Sequence, residues 1–395
     1  MVVTFRIAVL VALGHALDDA FVHRGPGLGL GQHALAGVLA LAAGVAAIVA
    51  FPRLRPGVAA ALAFSYGVLA FANGVMHVRY ADAADLTGLA AAAAGVVLIG
   101  IAAAIPWRAR GAGTWRSRTV AVVGGFVVSV ALLGPMVMGV VGTHKSRAPI
   151  GSPPSAAYAD VTFPAADGLE LAGWYRPSRN GAAVVIVHGG SSDRKGSVAH
   201  ATMLARHGYG VLLYDARGRG ESEGSENNYG WGWTEDISGA LAFLRQRDDV
   251  DPARIGAIGL STGADALLDI AGERDDIAAV VTDGAAAGSF EDWSRLRGTE
   301  LGAAPGWVMF STLRVLSGDP PGRPLEEQVQ RLRSPTLLIS AGTDVEREFN
   351  VHYDEAADGR VEHWNLPDAH HTQAIHEHRD EYERRVAEFF DGALT

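Results

Sequence analysis

Cysteine is absent from the 395 residues, which excludes disulfides and thiolate metal sites. The absence identifies no compartment, because cysteine-free chains occur in reducing and oxidising spaces alike. Acidic residues are scarce in one part only: residues 1–148 hold 4 of the 43 Asp+Glu and 11 of the 33 Lys+Arg, net +7, which leaves net −17 for the remainder. Two parts of opposite charge imply different surroundings. The acidic remainder argues against a nucleic-acid partner. No phosphate-binding glycine loop, flavin fingerprint or metal box is found, so neither cofactor nor metal is expected. No internal repeat is clear enough to suggest a transporter.

Apolar residues, by contrast, are abundant, at 49% with a mean hydropathy of +0.15. Five runs, 4–22, 34–51, 57–78, 86–105 and 119–141, are apolar enough for helices of roughly 20 residues that cross a bilayer. Residues 1–148 are therefore expected to be a membrane domain of about five transmembrane helices, with the lipid bilayer as partner. Asp18 and Asp19 replace the small-residue cleavage site of a signal peptide, so the first run reads as a retained helix. Placing Arg6, Arg53, Arg55, Arg108, Arg110, Arg116 and Arg118 in the cytoplasm leaves Arg24, Arg79, Lys145 and Arg147 outside. The C-terminal part is then expected to be extracytoplasmic. His15, Asp18, Asp19, Asn73 and His77 lie in or near these runs, either as headgroup-level helix ends or as part of a ligand or proton path.

Residues 149–157, with Pro153 and Pro154, read as a linker, and 158–395 as a separate folded domain. Two extended runs around Ala166-Asp167-Gly168 suggest a hairpin. After it, short unalternating apolar runs (184–187, 211–214, 255–260, 277–281, 336–339 and 361–366) are separated by helical patterns. That rhythm implies a parallel sheet covered on both faces, with its active site beyond the carboxyl ends of the strands.

The residues following those runs carry the chemistry. His188-Gly189-Gly190 follows the first, Asp215-Ala-Arg-Gly-Arg-Gly-Glu-Ser222 the second, and Ser261 the third, within Gly259-Leu-Ser-Thr-Gly263. Asp344 follows 336–339 closely, and His371 follows 361–366. A serine at a sharp strand-to-helix turn needs small residues two positions away on each side, because a Cβ there would strike neighbouring backbone. Each motif alone is weak. Their order and their placement at strand ends make the combined signal strong.

On these motifs, residues of about 158 to 392 resemble the α/β-hydrolase fold family, with esterase, lipase and dienelactone-hydrolase-like members. The resemblance implies a mostly parallel central sheet with a small cap, at about 284–334. It also implies Ser261 as nucleophile, His371 as base, Asp344 as orienting acid, and the N–H groups of Gly190 and Thr262 as the oxyanion hole. Hydrolysis of carboxylic esters, thioesters or amides through an acyl-enzyme is the expected reaction, on a small-molecule or lipid ester. Peptidase or acyltransferase action with the same triad is the near alternative, and a non-catalytic receptor or transport subunit is the alternative of another class.

Some positions have rivals. His370 competes with His371, and Glu346 and Glu348 compete with Asp344. The tract His370, His371, His376 and His378 invites a zinc reading, set aside because the triad already employs it. Asp215, Arg217, Gly218 and Gly220 read as turn-forming, and His188 as a brace for the oxyanion turn. Phe290, Trp293, Leu296, Leu301, Trp307, Met309, Phe310 and Leu313 are expected to form the cap's apolar underside, facing either substrate or sheet.

Overall fold

A computed structural model describes the chain apart from residues 23–29, 81–85, 109–114, 144, 146, 148, 226, 343 and 395. Several helical positions are described in their backbone only, among them His77, Arg79, Arg116, Arg118, Leu301 and Asp344. Arg24 and Arg110, used for the orientation, lie outside the described residues. Two compact units result, Met1–Met138 and Gly139–Thr395.

The first unit is helical: α1 (Val2–Phe21), α2 (Leu30–Ala50), α3 (Pro56–Tyr80), α4 (Leu86–Arg108) and the larger part of α5 (Trp115–Thr143). The five helices fall on the five apolar runs. Among the described residues, the stretches Pro56–Val75 and Leu86–Pro106 are long and apolar enough to cross a membrane. Small residues let α3 and α4 meet backbone to backbone: a Cβ on Gly74 would lie 2.3 Å from the Gly88 carbonyl oxygen, and one on Gly95 2.6 Å from that of Gly67. Phe5, Val9 and Leu98 pack inside, whereas Val3, Ile7, Leu10 and Val96 point outward. The Thr87 hydroxyl joins α4 to α1, 2.9 Å from His15 Nδ1 and 3.3 Å from Asp18 Oδ2.

The second unit begins with the last turn of α5. A Cβ on Gly139 would lie 2.8 Å from Thr312 Cβ, and one on Gly142 3.1 Å from Leu313, so this turn packs into the unit that follows it. An eight-stranded sheet then forms, in the order β1-β2-β4-β3-β5-β6-β7-β8. Its elements in chain order are β1 (Ala159–Pro164), β2 (Glu170–Arg176), β3 (Ala183–Val187), α6 (Val198–Arg206), β4 (Gly210–Tyr214), α7 (Trp233–Arg245), β5 (Ile255–Leu260), α8 (Thr262–Ala271), β6 (Ala279–Asp283), α9 (Phe290–Arg297), α10 (Glu300–Ser317), α11 (Leu325–Val329), β7 (Thr336–Ala341), α12 (Asp344–Ala357), β8 (Val361–Leu366), α13 (Ala374–Glu377) and α14 (Arg379–Ala393). The hairpin β1–β2 is antiparallel and joins β4 antiparallel, while β4 through β8 run parallel.

Strands β3 through β7 are buried at every residue, because helices cover both faces. Trp233, Ile237, Leu241 and Leu267 fill one side, and Leu204, Tyr382, Val386 and Phe390 the other. Helices α9, α10 and α11 occupy the expected cap. Phe310 and Leu313 turn inward, but Trp307, expected on the underside, is 59% exposed.

Candidate active site

Ser261 lies at the junction of β5 and α8 with φ 53° and ψ −122°. A side-chain-bearing residue held there costs about 1–3 kcal/mol, so the surroundings must enforce it. They do so through backbone. The Ser261 N–H donates to the Asp283 carbonyl at 2.8 Å, and its own carbonyl accepts from the N–H groups of Ala264 at 2.7 Å and Asp265 at 3.1 Å. Both flanking glycines are sterically required: a Cβ on Gly259 would lie 2.4 Å from the Gly263 oxygen, and one on Gly263 2.5 Å from the Val187 oxygen.

His371 arrives from the loop after β8. Its Nε2 lies 2.9 Å from Ser261 Oγ, and its ring rests on Gly284, where a Cβ would come within 2.7 Å of Cε1. Gly284 has φ 82°, which glycine adopts without strain. His370 turns away, 82% exposed, with Nδ1 2.7 Å from Glu377 Oε1.

The carboxylate that reaches His371 is Glu346, whose Oε2 is 2.5 Å from Nδ1. Asp344, the acid expected from the sequence, opens α12, and its side chain lies outside the described residues. Position 346 of α12 is turned toward the base. Glu346 is buried, and its Oε1 accepts the Ala341 N–H at 2.6 Å, which fastens the carboxylate to the end of β7. Glu348, the other rival, accepts from Arg297 at 2.9 Å. The hydrogen bond to Glu346 raises the His371 pKa above its ordinary value against the opposing effect of burial, and the charges of Glu346, Asp283 and Asp265 add to the rise.

The glycine turn after β3 abuts the elbow. A Cβ on Gly190 would lie 2.5 Å from Thr262 Oγ1, which leaves the two residues side by side. His188 braces this turn: its Nε2 accepts the Ala216 N–H at 3.0 Å, so the ring proton sits on Nδ1, 2.8 Å from the Gly189 carbonyl to which it donates. Burial lowers the His188 pKa to about 4 and keeps the ring neutral. Two cations stand nearby that the sequence did not single out here. Arg219 Nε donates to the Gly190 carbonyl at 3.2 Å, and Lys145 Nζ lies 2.9 Å from Ser191 Oγ.

The turn after β4 shapes the loop. Asp215 accepts the N–H groups of Arg194 at 2.8 Å and Glu221 at 2.9 Å, and Arg217 is held by Asp236 and Asp167. Asp283 escaped sequence reading as well. It is 1% exposed at the end of β6, accepts from Tyr382 at 3.0 Å, and is pushed up to about 7 by burial. A small cleft opens next to Thr262, lined in part by Tyr229, Trp231, Asp265 and Arg323.

The profile of the family described as "Serine aminopeptidase, S33" matches residues 178–314. An uncharacterized protein of Mycobacterium tuberculosis is 32% identical over 188 residues, which cover 47% of this chain and 61% of the relative. The chain thus spans less than two thirds of that relative's length. The thiohydrolase AneE of Aspergillus aculeatus is 38% identical over 115 residues, 28% of this chain and 36% of the relative. Among solved structures, a Pyrococcus furiosus esterase superposes with a TM-score of 0.54 at 25% identity, covering 64% of this chain and 98% of the esterase.

Proposed function

We propose, for a chain whose second unit has the α/β-hydrolase fold, that it is a serine hydrolase cleaving a carboxylic ester, thioester or amide through an acyl-enzyme. The observation that carries this reading is the unbroken hydrogen-bonded series Ser261 Oγ, His371 Nε2, His371 Nδ1, Glu346 Oε2. In the first step His371 takes the Ser261 proton as Oγ attacks the acyl carbon, and the carbonyl electrons move onto oxygen. The N–H groups of Thr262 and Gly190 are proposed to receive that oxyanion. His371 then protonates the leaving group as the acyl bond breaks, and a water deprotonated by His371 releases the acid. Glu346 fixes the imidazole tautomer and stabilises the imidazolium.

Ester action is the first choice because the esterase likeness covers nearly all of the solved enzyme, while the thiohydrolase likeness supports a thioester. Turnover of p-nitrophenyl acyl esters by wild type, abolished in Ser261→Ala, is the expected result. Equal turnover by the variant would refute it.

Anchoring of the first unit in a lipid bilayer is part of the proposal. It is supported by the two long apolar stretches and by the outward-facing Val3, Ile7, Leu10 and Val96. The proposal puts the hydrolase unit outside the cytoplasm, a reading supported by the arginine distribution and tested by protease accessibility in intact cells. Protection from added protease would reverse the orientation.

A further inference from the structure

We infer that the cleft beside the nucleophile is a subsite for a cationic group of the substrate, an alkylammonium, with Asp265 as its counter-charge. The inference rests on the serine-hydrolase reading and assigns that site a class of substrate.

The cleft is lined by Tyr229, Trp231, Thr262, Asp265, Asp269 and Arg323, among others. Its charges do not balance. Asp269 is paired with Arg323, whose Nε donates to Oδ1 at 2.6 Å. Asp265, one helical turn closer to the nucleophile, forms no ion pair with Lys, Arg or His among the described residues. Its Oδ1 accepts one hydrogen bond, from the Ala286 N–H at 2.8 Å. Asp265 is left without a cationic side-chain partner among those residues, and burial pushes its carboxyl up to about 7, with Asp292 and Glu346 adding to the rise and His371 opposing it, so a bound cation would favour the ionised form. A carboxylate kept short of positive charge gains most from a ligand that supplies it.

Position ties this charge to the chemistry. Asp265 follows Ser261 by four residues and donates its N–H to the Ser261 carbonyl at 3.1 Å. Its charge adds to the proton affinity of His371, which sets the carboxylate within electrostatic reach of the base. Thr262, which follows the nucleophile and is a proposed oxyanion donor, lines the same cleft. Tyr229 and Trp231 meet edge to face at 5.8 Å and give the cleft an apolar wall beside the carboxyl. Were the carboxyl needed only to hold the Ala286 N–H, an asparagine would accept the same bond without the cost of burying a charge.

The test compares substrate pairs on the full chain. One series is p-nitrophenyl esters of ω-amino acids, the other acetate esters of dimethylamino alcohols, each against its neutral carbon isostere. Wild type should prefer the cationic member of at least one series by about tenfold or more in kcat/KM, and Asp265→Asn should reduce that preference by a similar factor, the scale of a charge-assisted hydrogen bond. Should the variant fail to fold, wild type alone decides: n-butylammonium should inhibit neutral-ester turnover competitively and at least about tenfold more tightly than n-butanol. No cationic preference, a preference unchanged in Asp265→Asn, or equal inhibition by the two additives overturns the subsite while leaving the hydrolase reading intact. Absence of all ester turnover and of fluorophosphonate labelling in wild type would remove both.

Discussion

Glu346 and His371 are joined by a 2.5 Å contact whose carboxylate is also fastened at its other oxygen, where Oε1 accepts the Ala341 N–H at 2.6 Å. The imidazole is therefore oriented by a carboxylate that is itself held at both oxygens, as the triad chemistry requires. Glu346→Gln keeps the shape but can present an amide N–H to Nδ1, which favours the wrong tautomer. Its kcat should fall by about 10²–10⁴. Asp344→Asn, at the position first expected from the sequence, should stay within about threefold of wild type, since Glu346 already holds His371 Nδ1. Steady-state kinetics on one neutral ester separates the two.

The pH profile follows from the sign of the His371 shift. The pKa is raised, chiefly by the hydrogen bond to Glu346, and the base works only when neutral. Activity is therefore present above that pKa and lost as pH falls through it. The acid limb of kcat/KM on a neutral ester should have its midpoint above about 6.5, the ordinary histidine value. In Glu346→Gln the residual activity should show a midpoint at lower pH than wild type.

The elbow glycines give a stability test. A Cβ on Gly263 would press on two backbone carbonyls, at 2.5 Å from Val187 and 2.6 Å from His188, and neither can move without disturbing β3 or the oxyanion turn. Gly263→Ala should destabilise the hydrolase unit by about 1–3 kcal/mol and lower kcat, read by denaturant unfolding and by ester turnover. Gly392→Ala, in α14 where a Cβ would meet nothing within 4 Å, is the control that should leave turnover unchanged and should not destabilise the unit.

Much of this site was legible because its signals are local. Apolar runs mark β3 to β8, glycines mark close backbone approaches, and the chemistry sits at strand ends, so order and family resemblance together pointed to Ser261 and His371, with His370 left as the rival base. The acid was not local in that sense. Asp344, Glu346 and Glu348 share one short segment, and only the start and register of α12 decide which carboxylate meets the ring. Asp265 and Asp283 gave no motif, for their meaning lies in what surrounds them after folding. Trp307 misled for a related reason: its large apolar side chain suits an underside, yet helix α10 carries it outward while Phe310 and Leu313 turn in. In the first unit hydropathy placed all five helices, since a long apolar run has few other folds available to it.

The most direct measurement is covalent labelling of the full chain with a fluorophosphonate, followed by peptide mapping. Wild type should be modified at Ser261 alone, labelling should vanish in Ser261→Ala, fall steeply in His371→Ala, and persist in His370→Ala. Folded wild type that resists the reagent, or that is labelled equally in Ser261→Ala, would contradict the assignment of Ser261 and His371 as a nucleophile and its base.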